Sequence, residues 1–234
     1  MVDKPGRRKK KKVPWGKIVA VVIAALVIVA IGYFVYDNYV YSLPPVYAEL
    51  GTSEGNLYLE LYPACAPATV ANFENLTNSG FYNDLVWHRI VAGFVIQTGD
   101  PNTKGGVNST RSTWGMGVSS KSVPFEWCGW LHNYAGYVGM ASTAPKGPST
   151  SQFFVNLANS TSNLNLDDNY TVFGKVISGM SVVCSISKAP VYGSSATQNG
   201  NSITDQPTTP IFLNNVTIIT PSQAPTPQPI TQCK

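Results

Sequence analysis

A run of nineteen residues without a charged side chain, Ile18 to Tyr36, constrains this chain of 234 residues more than any other feature. As a helix that rises about 1.5 Å per residue, the run is long enough to cross a bilayer core of roughly 30 Å. Residues that favour membrane interfaces flank both of its ends: Trp15, Tyr33, Tyr36, Tyr39 and Tyr41. The run therefore predicts one transmembrane helix over residues 18–36.

Basic residues concentrate before this run, since half of the sixteen lysines and arginines lie within the first seventeen positions. The positive-inside rule predicts that this basic segment, residues 1–17, stays in the cytoplasm and that the rest is extracytoplasmic. From Asn38 onward ten acidic residues face eight basic ones, so nucleic-acid binding is not expected. A cleaved signal peptide is the alternative, but its apolar segment is usually about 7 to 15 residues long.

Proline marks both ends of the predicted folded unit. A tether over residues 37–45 ends at Pro44 and Pro45, and a tail over residues 221–234 has too many prolines for a helix or a central strand. A folded domain is therefore predicted over residues 46–220. Four cysteines follow the predicted membrane helix, so up to two disulfides are expected, in any of three pairings: Cys65, Cys128, Cys184 and Cys233.

Short segments with strand character dominate the predicted domain. "NLYLELY" has the two-residue period of a half-buried strand, and six further segments such as "LVWHRI" and "FVIQTG" are separated by Gly, Pro, Asn and Ser. One helix is predicted from Pro67 to before Gly80, and a second over Met180 to Ser187. Because βαβ alternation is missing, the pattern predicts a mainly β fold, a closed antiparallel barrel of seven or eight strands with two helices.

The stretch "WHRIVAGFVIQTGD", residues 87–100, places a cation and an amide among apolar residues. If it forms two strands around a turn, Arg89 and Gln97 share one face, with Phe94 or Val95 at its edge. That face would be apolar except for the guanidinium group of Arg89 and the amide of Gln97, which is an unusual surface for a strand pair. The stretch is therefore the first candidate for a functional site.

Few other residues offer chemistry. The chain has two histidines, His88 and His132, no Gly-x-Ser-x-Gly motif, no phosphate loop and no metal-ligand spacing. His88 would lie on the opposite side of the pleat from Arg89 and is interpreted as a core histidine. From these residues alone two interpretations of Arg89 stay open: a functional cation, or the partner of Glu60 or Glu126 inside the barrel.

Five segments in order resemble the cyclophilins, the peptidyl-prolyl isomerases: "GFYNDLVWHRIVAGFVIQTGD", "GYVGMAS", "TSQFFVNL", "LDDNYTVFGKVISGM" and "PIFLNNVTI". They occur at nearly the family's spacing, and the resemblance runs from about Val46 to Thr220. It implies a closed eight-stranded antiparallel β-barrel capped by two α-helices. It also implies proline-containing polypeptides as substrates and partners, and no cofactor or metal.

The resemblance also implies roles for single residues. Arg89 matches the catalytic arginine, and Gln97 and Gln152 match the glutamines that flank it. Arg89 and Gln97 are thus the expected catalytic residues, with Gln97 holding the guanidinium group. Phe94 and Phe154 match the aromatic floor beneath the substrate proline. The remaining matches are an apolar or aromatic wall and the strand beside which the peptide lies: Val95, Met140, Ala141, Leu166 and Tyr170.

Two positions depart from many eukaryotic members of that family. Asn165 stands where they carry a tryptophan, and Tyr170 stands where they carry a histidine. Bacterial-type members vary at both positions, so the chain resembles those more closely. Because the tryptophan takes part in cyclosporin binding, Asn165 predicts weak or no binding of that drug.

The sequence as a whole predicts a membrane-anchored peptidyl-prolyl isomerase that assists the folding of exported proteins. A proline-peptide-binding or scaffold module with little turnover is the alternative, and a surface structural protein is a third hypothesis. Retention of Arg89 and of both phenylalanines favours the enzyme.

Overall fold

A computed structural model describes residues 14–233, and the chain divides between Ser42 and Leu43 into two compact units. The first unit contains helix α1 (Trp15–Tyr41), of which residues 18–35 are by length and composition apolar enough to cross a membrane. The apolar helix is thus confirmed as a helix. Most of the predicted basic segment lies outside the described residues.

Helix α1 is longer than the sequence prediction. It continues through residues 37–41, which were predicted as the start of the tether, because that segment contains no helix-breaking residue. Only residues 42–45 then separate α1 from the first strand, and Pro44 and Pro45 prevent the helix from continuing.

The second unit is built on nine antiparallel strands in the order β3-β11-β1-β2-β8-β6-β7-β5-β4. A separate two-stranded hairpin joins β9 to β10. The bounds are β1 (Val46–Thr52), β2 (Gly55–Leu61), β3 (Leu85–Val86), β4 (Arg89–Val91), β5 (Val95–Thr98), β6 (Tyr137–Ser142), β7 (Ser149–Asn156), β8 (Val172–Ser178), β9 (Thr197–Gln198), β10 (Asn201–Ser202) and β11 (Phe212–Ile219). The mainly β architecture is therefore confirmed.

The prediction of a closed eight-stranded barrel is wrong, because the nine-stranded sheet curls into a half-barrel with two edges. The segment "LVWHRI", predicted as one strand, is broken at Trp87 and His88. Its first half, β3, pairs with β11, and its second half, β4, pairs with β5. β3 and β4 are the two edge strands of the sheet. Within the described residues no strand pairing joins them, so the sheet does not close into a barrel.

Both predicted helices are confirmed. Helix α2 (Pro67–Asn78) has proline in its first turn, and its free Ala68 and Thr69 amides donate to the Glu126 carboxylate at 2.9 and 2.8 Å. That carboxylate suits the positive end of the helix dipole. The other helical elements are α3 (Thr161–Leu164), α4 (Met180–Ser187) and two 3-10 turns over Pro101–Gly106 and Asn108–Thr113.

An aromatic cluster fills the space between α2 and the sheet. The Phe73 ring lies 5.1 Å from Tyr82, 5.6 Å from Phe153 and 5.7 Å from Phe173, measured between ring centroids. These rings are almost fully buried, as is Trp87. Burial of such rings dominates core stability, and it fixes which face of β7 points inward.

Two disulfides join the four cysteines, one between Cys65 and Cys128 and one between Cys184 and Cys233. The second connects α4 to the proline-rich tail. The tail also donates backbone hydrogen bonds to the sheet, from Gln228 to the Ile177 carbonyl at 2.8 Å and from Cys233 to the Leu157 carbonyl at 2.9 Å. The tail is therefore attached to the sheet at Gln228 and to both the sheet and α4 at Cys233.

We expect the double substitution Cys184→Ser with Cys233→Ser to lower the free energy of unfolding by about 4 kcal/mol. The physical reason is that the disulfide closes a loop across 49 positions, which restricts the unfolded chain. Denaturant unfolding of both proteins measures the difference. Peptide mapping without reduction serves as the control, because Cys65 and Cys128 should stay joined in the variant; equal unfolding midpoints would contradict the expectation.

Candidate active site

One cavity of about 230 Å³ brings together eight of the ten residues that the sequence predicted for the site. Strands β4, β5, β6 and β7 and the segment between α3 and β8 supply its lining. The lining residues are Arg89, Phe94, Val95, Gln97, Ala141, Ser142, Phe154, Leu166 and Tyr170. The cavity therefore has apolar walls with a cation and an amide at one side.

The turn between β4 and β5 places the cation and the amide side by side. Arg89 lies opposite Gln97 and Val91 lies opposite Val95 in the antiparallel pairing. Gly93 allows the tight connection, because its φ of +70° lies in the region that glycine adopts without strain. The two-strand arrangement inferred for residues 87–100 is thus present.

Phe154 forms the floor of the cavity. Its ring lies against Gly139 of the neighbouring strand, where an added Cβ would come within 2.5 Å of the ring. The ring also meets Tyr170 edge to face, with centroids 6.2 Å apart. A glycine on β6 therefore makes room for the floor, and Tyr170 limits its movement.

Arg89 lies at the mouth of the cavity with 41% of its side chain exposed. Its Cζ is 6.0 Å from the centroid of the Phe94 ring, and its Nε is 3.9 Å from Oδ2 of Asp205. The guanidinium group thus lies between a ring and a carboxylate. It remains accessible to a ligand that enters the cavity.

The alternative in which Arg89 pairs with a glutamate inside the barrel is wrong. Glu60 is 3.1 Å from the Lys175 ammonium group, and Glu126 accepts the amide hydrogen bonds at the start of α2. Both carboxylates are thus satisfied elsewhere, and Arg89 faces the cavity instead of the core.

A chain of hydrogen bonds fixes the amide of Gln97. Its Nε2 donates to Oε1 of Gln152 at 2.9 Å. The Gln152 Nε2 in turn donates to the carbonyl oxygens of Gly115 at 3.1 Å and Gly117 at 2.8 Å. The buried Asp100 carboxylate accepts from the amides of both glycines. Gln97 is therefore oriented by Gln152 and the loop behind it, and not by Arg89.

Met140 does not line the cavity, although the sequence predicted it there. Its side chain is buried in the central core, while the next residue, Ala141, lies in the cavity wall. Successive residues of a strand point to opposite faces, so only one of the two can face the substrate. Gln152 lines a second cavity of about 530 Å³, which shares Gln97, Ala141 and Ser142 with the first.

His88 is buried, as the sequence predicted for a core histidine. The Val86 carbonyl and the Gln152 side chain interact with its ring. Burial lowers the pKa of His88 to about 4. The imidazole is therefore neutral at pH 7 and does not add charge beside Arg89.

Sequence reasoning missed several residues that support the site. Asn163 is fully buried, and its amide donates to the Phe94 carbonyl at 2.8 Å and to Asn156 at 2.9 Å. Its only sequence signal is the Ser160 cap three residues earlier, which is typical of a helix start and not of a site. Asp205 and Gly139 carry no signal of their own in the sequence.

Comparison with known proteins gives one family. The model described as "Cyclophilin type peptidyl-prolyl cis-trans isomerase/CLD" matches residues 47–217. Peptidyl-prolyl cis-trans isomerase A of Dickeya dadantii is 36% identical over 172 residues, which cover 73% of this chain and 83% of that protein. Peptidyl-prolyl cis-trans isomerase-like 3 of Rattus norvegicus is 35% identical over 170 residues, which cover 72% and 93%. Bacterial and mammalian relatives are thus about equally similar, and closeness to bacterial members does not follow.

Solved structures give the same family. A crystal structure of a Cryptosporidium parvum cyclophilin type peptidyl-prolyl cis-trans isomerase superposes with a TM-score of 0.63 at 25% identity, over 75% of this chain and 98% of that one. The structure determined in the presence of the dipeptide Ala-Pro gives a TM-score of 0.61 at 27% identity, over 74% and 99%.

We expect Gly139→Ala to displace the Phe154 ring and to weaken binding of an Ala-Pro peptide by about tenfold, the effect of about 1.4 kcal/mol. The added methyl group overpacks the cavity floor, which costs about 1–3 kcal/mol in a packed site. Peptide titration by NMR and thermal unfolding measure the two effects. Gly193→Ala is the matched control, because nothing lies within 4 Å of an added Cβ there. Equal peptide affinities of both variants would contradict the role of Gly139.

Proposed function

The chain belongs to the cyclophilin-type peptidyl-prolyl cis-trans isomerase family, and from this premise we propose that Arg89 is its catalytic residue and that the enzyme assists the folding of exported proteins at the outer face of a membrane. Family membership makes the chain a peptidyl-prolyl isomerase. The assignment of single residues, the location and the clients are the proposal.

The reaction needs a hydrogen-bond donor and no nucleophile, because no covalent bond is formed or broken. Rotation about an X-Pro bond faces a barrier of about 18–20 kcal/mol, because amide resonance is lost in the twisted state. In that state the prolyl nitrogen regains its lone pair and becomes a hydrogen-bond acceptor. A fixed guanidinium group beside this nitrogen stabilises the twisted state more than either planar form.

The observation that carries this proposal is the position of Arg89 at the mouth of an apolar cavity. Phe154 provides a floor, and Phe94 lies beneath the guanidinium group. A proline ring on this floor would bring its nitrogen toward Arg89 and exclude water, which strengthens the hydrogen bond. Gln97, held by Gln152, would bind the adjacent peptide backbone.

Proline-containing polypeptides are the proposed substrates. The related structure determined in the presence of Ala-Pro supports this substrate class. Eight predicted residues supply the proposed site: Arg89, Gln97, Phe94, Val95, Ala141, Phe154, Leu166 and Tyr170. Gln152 contributes through Gln97, and Met140 contributes only as part of the strand beside Ala141.

Weak cyclosporin binding belongs to the same proposal. Asn165 is exposed at the end of α3, directly before Leu166 of the cavity wall. Its amide offers less apolar area than the tryptophan of many relatives and lacks the indole donor. Affinity for the drug should fall accordingly.

The proposed location rests on α1 and on the cysteines. The apolar span of α1 follows a strongly basic segment, which is typical of an anchor whose amino terminus stays in the cytoplasm. All four cysteines of the second unit are paired, and disulfides persist in oxidising compartments. An isomerase held there would meet chains as they emerge from the membrane.

We expect Arg89→Ala to lower turnover on an Ala-Pro peptide by about 10² or more, as removal of a preorganised donor does. The melting temperature should change little, because the pair with Asp205 is exposed and exposed pairs contribute about 0–1 kcal/mol. NMR exchange spectroscopy on the full chain in detergent micelles measures the rate, and calorimetry measures stability.

Lys121→Ala is the matched control, since it removes one exposed cation away from the cavity. It should leave the rate unchanged. A folded Arg89→Ala protein with the rate of the Lys121→Ala protein would refute the catalytic role and favour the binding-module alternative.

We expect external protease added to intact cells to degrade the second unit while cytoplasmic markers survive. The positive-inside rule gives this orientation for a helix that follows a basic segment. Immunoblotting with one antibody to the second unit and another to the basic segment at the start of the chain measures the outcome. Full protection of the second unit would contradict the topology, and a mature chain that begins after Tyr36 would identify a cleaved signal instead.

A further inference from the structure

We propose that Asp205 is a positioning residue that orients the Arg89 guanidinium group for isomerisation, and that the loop between α4 and β11 is built to hold it there. The inference rests on the proposed role of Arg89. It assigns a task to a loop, residues 188–211, that contributes no lining residue to the cavity.

A buried arginine attaches this loop to the rest of the second unit. Arg111 donates from Nη1 to the Pro207 carbonyl at 2.7 Å and from Nη2 to the Thr208 carbonyl at 3.1 Å. Its guanidinium group also lies 4.5 Å from the Trp114 ring centroid and 5.3 Å from that of Tyr192. Such a combination fixes the loop at the two residues that follow Asp205 and Gln206.

Side-chain hydrogen bonds from the hairpin of the loop add to this attachment. Gln198 accepts from the Ser112 amide and donates to the Asn108 carbonyl, both at 2.9 Å. Gln206, next to Asp205, donates to the Arg111 carbonyl at 2.9 Å. The loop is therefore fixed to the Asn108–Thr113 turn on both sides of Asp205.

The backbone of Asp205 is hydrogen-bonded to the strand that carries Arg89. The Ile90 amide donates to the Asp205 carbonyl at 2.8 Å, and the Asp205 amide donates to the Tyr192 carbonyl at 3.1 Å. Asp205 has a φ of +63°, a conformation that is unfavourable for most residues and that aspartate tolerates better than most. Asp84, an exposed residue away from the cavity, has nearly the same φ, so the hydrogen bonds of Asp205 and not its φ support the inference.

The carboxylate approaches one particular side of the guanidinium group. Oδ2 of Asp205 is 3.9 Å from Nε of Arg89, which leaves the Nη groups for a substrate. Arg89 lies on β4, an edge strand, and about 41% of its side chain is exposed, so packing alone does not restrict its rotamers. Asp205 and the Phe94 ring together limit the orientations of the long side chain, which is the condition for a preorganised donor.

Two variants and a matched control test the role of the carboxylate in the full-length enzyme. Asp205→Asn keeps the shape of the side chain and the tolerated backbone conformation and removes the charge. Asp205→Gly keeps the backbone conformation and removes the side chain. Asp84→Asn is the control, because Asp84 is an exposed aspartate with a φ of +59° away from the cavity.

We expect Asp205→Asn and Asp205→Gly to lower kcat for an Ala-Pro peptide by about fivefold, with KM and melting temperature nearly unchanged. Asp84→Asn should match the unaltered enzyme. In an Arg89→Ala background, Asp205→Asn should have no further effect, because the carboxylate acts only through the guanidinium group. A residue that merely supported the loop would lower activity in that background too.

Ionic strength gives a second readout. Because the ion pair is exposed, about 1 M salt should screen it and lower the rate of the unaltered enzyme toward that of Asp205→Asn. The rate of the Asn variant should depend less on salt.

Equal rates of Asp205→Asn and Asp84→Asn would overturn the inference, and so would a faster Asn variant, which would identify the carboxylate as a competitor for Arg89. The failure of the proposed function looks different. It would appear as full activity of Arg89→Ala, whatever Asp205 does, whereas an inactive Arg89→Ala with a fully active Asp205→Asn rejects only the positioning role.

Discussion

Alternation along β7 connects the stability of the fold to the shape of the cavity. Phe153 packs against Phe73 and Trp87 in the central core, so the next residue must face the opposite side of the strand. That residue is Phe154, whose ring forms the cavity floor over Gly139. A shift of one residue in the register of β7 would exchange the two rings, and burial of the core strongly opposes such a shift. The hydrophobic effect therefore determines the face to which Phe154 points, and contacts with Gly139 and Tyr170 then place its ring.

The cation has no comparable support from the core. Arg89 lies on β4, which follows the interruption of the strand at Trp87 and His88. As an edge strand, β4 pairs with another strand on one side only. Hydrogen bonds from α3 and from the loop before β11 provide what the sheet does not. Asn163 holds the backbone at Phe94, and the Asp205 carbonyl holds the backbone at Ile90. The catalytic role proposed for Arg89 then depends on segments outside the sheet, and loops among them can change without altering the fold.

The sequence was sufficient to predict the elements that have a period or a local signal. Six of the seven predicted strand segments, the two helices predicted for the domain and the turn that pairs Arg89 with Gln97 follow from alternation, proline and glycine, whereas β1 (Val46–Thr52) has no counterpart among the predicted segments. The open edges of the sheet could not be predicted, because they depend on a break between β3 and β4 at Trp87 and His88, where the composition stays strand-like. Asp205 and Arg111 could not be predicted either, since their partners lie far away along the chain and a loop has no period. Alternation in "GYVGMAS" would have excluded Met140 from the cavity wall, because a strand cannot present both Met140 and Ala141 to one face.

The scarcity of charge determines how the site can recognise a substrate. Only 12% of the residues are charged, and from Asn38 onward the acidic and basic residues nearly balance, so the second unit offers little long-range attraction to any class of polypeptide. In the proposed function, recognition comes from the cavity itself, where apolar walls would bind a proline ring and neutral amides would bind the peptide backbone. A proline ring and a peptide backbone are common to all proline-containing chains. A site that recognises only these groups would discriminate weakly among such substrates. Because few other charges are present, the electrostatic field at Arg89 is determined mainly by Asp205 and by the bound peptide. A positioning carboxylate beside the cation thus has an influence here that a more highly charged surface would obscure.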